Sequence, residues 1–152
     1  RDGMLQVSGE LDFTMHGPSQ KLHSKPYSKR RAVYGYIDRQ NISPTLNSFD
    51  FANPNIHAPQ RVETTVPQQA LFAFNHPFVI ERSATLAKKA FDSRTANPSS
   101  QVGFLYRQIL SRDPRQDESK LSVEFIGTDA KLANFEDLAQ TLLVSNEFFF
   151  TD

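Results

Sequence analysis

From residue 65 onward, apolar side chains recur at helical spacing. Pro67, Ala70, Leu71 and Phe74 fall at i, i+3, i+4 and i+7. Thr65 and Gln68 stand at capping-box spacing, with Pro67 inside the first turn. Asn75 and Pro77 interrupt this helix. A second is predicted from near Pro77, with Val79, Ser83, Leu86, Ala87, Ala90 and Phe91 on one stripe. Asn97, Pro98, Ser99 and Ser100 break and recap the chain. A third helix then carries Val102, Leu105, Tyr106, Ile109 and Leu110. Asp113, Pro114 and Gln116 open a fourth with Asx-x-x-Gln capping spacing, and its thinner stripe is Leu121, Phe125 and Ile126. A fifth starts at Asn134 and shows Phe135, Leu138, Ala139, Leu142 and Leu143. Phe148, Phe149 and Phe150 follow; three consecutive aromatics cannot share one helical face, so at least one packs elsewhere or against a missing part of a longer parent.

The first part of the chain is less periodic. Residues 1–9 read as the tail of a helix, with Met4, Leu5 and Ser8 on one face and Gly9 suited to a C-terminal cap. Residues 10–28 carry Gly17, Pro18 and Pro26 without a sustained period, which is loop. In residues 30–38, Val33, Gly35 and Ile37 alternate as in a strand, while Val33, Tyr36 and Ile37 also fit a helical face; the balance favours a short helix. Residues 39–64 form a long connection with Pro44, Pro54 and Pro59 and Asn41, Asn47, Asn53 and Asn55. A stretch of this length is usually functional or disordered, and Leu46, Phe49, Phe51 and Ile56 argue that it packs.

The pattern therefore predicts a mainly α protein. Residues 65–150 are expected to form a compact orthogonal or antiparallel bundle of about five helices, joined by short connections. The whole chain, 1–152, reads as a single domain or domain fragment, with 1–64 a loop-rich packed segment carrying short helices and 65–152 the helical core.

Composition narrows the function classes. No run approaches the ~20 apolar residues of a membrane-spanning helix, so no membrane span is expected. With 17 basic and 17 acidic residues, the formal net charge is zero. Nucleic acid would favour a basic excess, so no nucleic-acid partner is expected either. The one local excess, Lys25, Lys29, Arg30 and Arg31, reads as a solvated face rather than a phosphate site. The absence of cysteine excludes disulfides, thiolate catalysis, Cys-type zinc sites and c-type haem attachment within this chain. The opening Arg1-Asp2-Gly3 falls in mid-pattern and reads as part of a longer protein.

Motifs for chemistry are scarce. His16, His23, His57 and His76 have no i, i+4 partner, and HExxH, GxSxG, GxGxxG and phosphate-loop patterns are missing. No catalytic residue, metal or cofactor site is expected from the chain. Asp50, Asn53 and Asn55 faintly resemble a calcium loop but lack its glycine and distal glutamate, so a turn is the better reading. The richest polar cluster is Asp50, Arg61, Glu63, Thr64, Thr65, Gln68 and Gln69, with Asn75 a turn or two further on. It could form a carbohydrate- or carboxylate-binding rim at a helix N-terminus, with Arg61 as fork donor. Alternatively, an Asp50–Arg61 ion pair pins the long loop while Thr65 and Gln68 cap the helix; this structural reading is favoured.

Several stretches together resemble one family. They are RDGMLQVSGELDFTMHGPS (1–19), KRRAVYGYIDR (29–39), LNSFDFANPNIHAPQRVETTVPQQALFAFNHPFV (46–79), LYRQILSRDPRQDE (105–118) and FEDLAQTLLVSNEFFF (135–150). The chain resembles the planctomycete family called domain of unknown function 1553. This is the C-terminal domain of large proteins that often also carry a planctomycete cytochrome-c-like domain. The most specific part runs from Phe49-Asp50 through Arg61 to Thr64–Leu71 and Asn75. One departure is His16, where the family pattern usually has a second glycine before Gly17-Pro18. The resemblance implies export from the cytoplasm, an extracytoplasmic (periplasmic or cell-surface) location, and neighbouring domains of the parent, with haem in another domain rather than here. It implies no assigned activity. Residues 104–150 also look like short helical modules of bacterial surface proteins and phycobilisome linkers, through Tyr106-Arg107, Arg112-Asp113-Pro114 and Asn146-Glu147-Phe148.

Two functional expectations follow. The first is a non-catalytic interaction or scaffold module whose partners are other domains of its parent. The second is part of an extracytoplasmic enzyme or binding protein acting on polysaccharide, with glycan held in a site shared with a missing N-terminal domain.

Overall fold

Proline begins four of the helices. It fixes φ near the helical value and lacks the N–H that a first turn leaves unpaired. The structure, a computed structural model, describes residues 1–60, 64, 66–92, 97–127 and 129–150. Its elements are α1 (Asp2–Val7), a 3-10 turn (Ala32–Tyr34), α2 (Pro44–Ser48), α3 (Pro67–Asn75), α4 (Pro77–Phe91), α5 (Pro98–Leu110), α6 (Gln116–Ile126), α7 (Leu132–Leu143) and α8 (Asn146–Phe149). Extended pairing among the described residues is limited to isolated bridges at Asp12–Arg30 and Gln20–Gly35. The protein is mainly helical and packed as a bundle.

The core lies where α4 meets α7, the most extensive helix–helix contact. Leu86, Ala87 and Ala90 face Phe135, Leu138, Ala139, Leu142 and Leu143, all buried in one cluster. The alanines shorten the separation at which the two backbones can pack. Val102, Leu105 and Ile109 of α5 join the cluster, and so do Met4 and Leu5 of α1. The N-terminal helix is thus part of the bundle core.

Side chains from neighbouring helices satisfy the carbonyls that helix ends leave open. Lys89 Nζ donates to Ser8 O (2.6 Å), and Gln108 Nε2 donates to Val7 O (2.9 Å), so α4 and α5 together close the end of α1. Asn134 Nδ2 donates to Ile126 O (3.2 Å), and Gln140 Nε2 donates to Phe74 O (2.7 Å). These bonds couple helix ends to tertiary packing.

Two apolar stripes face differently from the expectation. On α3, Leu71 and Phe74 are 61% and 58% exposed, whereas Ala73 is buried and Phe72 packs against the core. The inward face is Gln69, Phe72, Ala73 and His76, because Ser48 and Phe49 at the end of α2, together with Tyr27, cover that side. On α6, Leu121 (65%) and Phe125 (53%) point outward, while Ser122 and Ile126 are buried and Val123 packs inward. Apolar spacing alone is compatible with either face; the neighbours α5 and α7 select the Ser122–Ile126 side. The stripes of α4, α5 and α7 lie inward as expected, except that Phe91 at the end of α4 is 41% exposed.

Cap positions also shift. Val66 is the N-cap of α3, which places Gln68 too early for a box with Thr65, a residue outside those described. On α6, Arg115 is the N-cap, and its N–H donates to Glu118 (2.7 Å), so Glu118 serves rather than Gln116. Residues 30–38 contain a single 3-10 turn, and α7 begins at Leu132, ahead of Asn134. Of the terminal aromatics, Phe148 packs on the core, and Phe150 is 64% exposed.

Three members of the basic cluster are held by acids and carbonyls, while Arg31 is exposed. Lys25 pairs with Glu81 (2.8 Å) and Lys29 with Glu10 (3.0 Å). Arg30 is buried; its Nη2 donates to Thr14 O (2.7 Å) and His16 O (2.5 Å), and its guanidinium lies 4.0 Å from the Tyr34 ring centroid. Arg82, equally buried in α4, pairs with Glu10 at 3.1 Å. Burial works to raise the Glu10 carboxyl, but the Lys29 hydrogen bond and the charges of Arg82 and Lys29 carry it below the usual range. The 10–30 loop is thereby fastened to α4.

Candidate functional site

The long connection ends in a clamp. Asp50 sits at φ 53°, a left-handed conformation that aspartate tolerates better than most residues. This turn aims its carboxylate at Thr64. The Thr64 N–H donates to Asp50 Oδ2 (2.7 Å), and the Thr64 hydroxyl donates to the same carboxylate (2.8 and 2.9 Å). Gln69, at the start of α3, donates from Nε2 to Ser48 O (3.0 Å) and Thr64 O (2.9 Å). Asp50, Thr64 and Gln69 are therefore together, and they tie the end of α2 to the beginning of α3.

The other members of the polar cluster do not join them. Gln68 points outward on α3 with no hydrogen bond among the described residues. Asn75 donates to Leu71 O of its own helix (3.1 Å). Arg61, Glu63 and Thr65 lie outside the described residues. On its solvent side, Asp50 borders a shallow hollow of about 360 Å³ with Asn47, Asn53 and His57. Asn55 N–H donates to Asn53 Oδ1 (2.9 Å), an Asx turn. Among the described residues, no group of three or more His, Asp and Glu is placed to hold a metal ion. No helix among them is long and apolar enough to cross a membrane.

Behind the clamp lies a second feature, a pocket of about 320 Å³ between the irregular segment, the C-terminal part of α3 and the first turn of α4. Its wall is a chain of rings. Phe49 meets Phe72 edge to face (5.2 Å), Phe72 stacks on His76 (4.3 Å), His76 lies 5.8 Å from Tyr27, and Tyr27 meets Phe78 edge to face (5.5 Å). Arg1 closes one side, its guanidinium 5.6 Å from the Phe78 centroid. That cation is already engaged: Nη1 donates to Asp2 (2.9 Å) and Arg30 O (2.8 Å), and Nη2 donates to Ser28 O.

His76 has two jobs in this wall. As N-cap of α4, its Nδ1 accepts from the Phe78 N–H (3.2 Å). An imidazole that accepts at Nδ1 carries its proton on Nε2. Burial lowers the affinity of His76 for a second proton, only partly offset by Glu81. His23, also on the pocket wall, is lowered by burial first and by the Arg1 charge second. In both rings burial favours the neutral form.

The sequence shows no sign of this pocket because its rings come from four separate segments. Phe72 lies off the apolar stripe of α3, and Tyr27 stands in a stretch with no period. The usable signal is the aromatic content of the 39–64 connection, where Phe49 and Phe51 need a partner surface.

No curated protein and no solved structure matches the chain. The family model described as PSD1, protein of unknown function (DUF1553), matches residues 1–126, from α1 to the end of α6. The chain belongs to that family.

Proposed function

We propose that this chain is a non-catalytic helical interaction module within a larger exported planctomycete protein, packed against other domains of its parent at the cell surface or in the periplasm. The observation that carries the reading is the outward placement of apolar pairs on helix surfaces. Leu121 and Phe125 lie one turn apart on α6, and Leu71 and Phe74 on α3, all more than half exposed. Apolar pairs at helical spacing ordinarily face a packing partner, and clustered exposure of this kind marks interaction surfaces. The polar groups of the clamp bind main-chain and hydroxyl groups of this chain, which supports a structural role for Asp50 and Gln69. Export and a haem domain elsewhere in the parent rest on the family resemblance.

The test uses the full-length parent. Leu121→Glu with Phe125→Glu should leave the melting of this chain nearly unchanged, since exposed substitutions shift stability by about 0.5 kcal/mol or less. The same pair should increase protease cleavage between this module and the rest of the parent several-fold. Unchanged cleavage overturns the reading. Glycan is the competing partner class: if Asp50→Ala and Arg61→Ala fold normally yet abolish glycan binding by the parent, the polysaccharide reading replaces this one.

A further inference from the structure

Close-packed interiors leave few voids larger than a water molecule. The pocket behind the clamp, of about 320 Å³, is large enough for several waters. Its lining is mostly apolar and so holds water poorly. It falls at the lower end of the roughly 300–1,000 Å³ typical of small-molecule sites.

Close packing frames the void on two sides. On one side, Met4 and Phe78 are buried in the helical core. On the other, Gly35 lies so close to Leu22 that a Cβ at residue 35 would stand 2.6 Å from Leu22 Cδ1. The Gln20–Gly35 bridge fixes that approach, with Gln20 N–H donating to Tyr34 O (2.8 Å) and Tyr36 N–H to Gln20 O (2.9 Å).

The wall chemistry specifies an occupant. The ring chain from Phe49 through Phe72, His76 and Tyr27 to Phe78 offers faces and edges at the separations aromatic groups prefer, which aliphatic groups use less well. His76 Nε2–H and the His23 imidazole have no hydrogen-bond partner among the described residues. An occupant with an oxygen acceptor would supply one. Arg1 is paired with Asp2 and engaged with two carbonyls, so its charge is already balanced and only its buried Nε lacks a partner among the described residues; a carboxylate would add an excess negative charge.

We propose that this pocket is a binding site for an uncharged planar aromatic molecule of one or two rings carrying a hydroxyl or carbonyl oxygen, packed against the ring wall with that oxygen in the plane of the His76 imidazole, where it accepts from Nε2–H. This site is separate from the outward helix faces and stands or falls without them.

The probe is 2-naphthol, titrated into the full chain and followed by its own fluorescence, which no tryptophan obscures. The expected result is saturable binding of one equivalent. Naphthalene and 2-naphthoate should bind at least tenfold more weakly, and cyclohexanol not measurably. Thr45→Phe, which fills the pocket from its wall without adding a tryptophan, should weaken 2-naphthol at least tenfold; Ala32→Phe on the same lining serves if that variant misfolds. His76→Asn keeps an N-cap acceptor for Phe78 but removes the ring and its Nε2–H. It should bring the 2-naphthol and naphthalene affinities within about threefold of each other. Non-saturable binding overturns the proposal. Indifference to both pocket-filling variants, or a naphthol preference that survives His76→Asn, does so equally.

Discussion

At the level of single residues, His16 shows how a departure from a family pattern becomes a physical statement. It occupies φ 65°, followed by Gly17 at φ 95°. A side chain in the left-handed region costs roughly 1–2 kcal/mol, and glycine avoids that at a smaller entropic cost. The tertiary fold imposes the turn: Arg30 grips His16 O, and the His16 N–H donates to the Tyr34 hydroxyl (2.9 Å). Both contacts use main chain and survive substitution. His16→Gly should therefore stabilise the protein by up to about 1 kcal/mol, read as an upward shift of the urea midpoint with unchanged slope. A fall in the midpoint would show that the imidazole makes a contribution the contacts do not reveal.

At the level of elements, α8 is held by electrostatics as well as by Phe148. Arg112, just after α5, forks across two acids. Nη1 and Nη2 donate to Glu118 (2.7 and 2.8 Å), while Nε and Nη2 donate to Glu147 of α8 (2.5 and 2.7 Å). The Arg112 hydrogen bonds, followed by the Arg115 N–H, hold the Glu118 carboxyl down at about 2. Arg112 also lowers Glu147 and is itself raised by both acids. A carboxyl depressed on folding contributes stability above its unfolded value; that contribution disappears as pH falls from about 4.5 toward about 2. The network is solvent-screened, so its contribution is modest. Melting temperature measured from pH 6 down to about pH 2 should fall more steeply for the parent chain than for Glu118→Gln. Parallel curves would deny the network any part in acid stability. The helices also show how far periodicity reaches. It located α3, α4, α5, α6 and α7 in order, because each needs at least one apolar face. It misassigned that face on α3 and α6, because both helices carry apolar residues on two sides and neighbours choose between them.

At the level of the whole molecule, the irregular first part and the bundle share one core. Leu5 of α1 is fully buried in the cluster built by α4, α5 and α7, and the carbonyls at the end of α1 are closed by Lys89 and Gln108. Leu5→Ala should cost about 3 kcal/mol through lost burial and the cavity left behind. Helix ellipticity and tyrosine near-ultraviolet signal should still report the same midpoint, since coupled segments unfold together. Separate midpoints would mean that the loop-rich segment and the helical part melt as independent units.

The candidate site was legible only in part. Asp50, Thr64 and Gln69 stood out as polar residues near a helix start, and they do meet. Gln68 and Asn75, equally conspicuous in sequence, face elsewhere. The ring-walled pocket was invisible, because contacts among Tyr27, Phe49, Phe72 and Phe78 link positions up to fifty-one residues apart. Local patterns settled the mainly α class, the proline-started helices α3, α4 and α5 and the inward stripes of α4, α5 and α7, since those depend on near neighbours along the chain. The Gly9 cap of α1 was legible too, whereas packing alone decided which face α3 and α6 bury, which distant side chains close the last carbonyls of α1, and where a void remains. Those outcomes depend on which distant surfaces meet, and spacing within one segment carries no record of that.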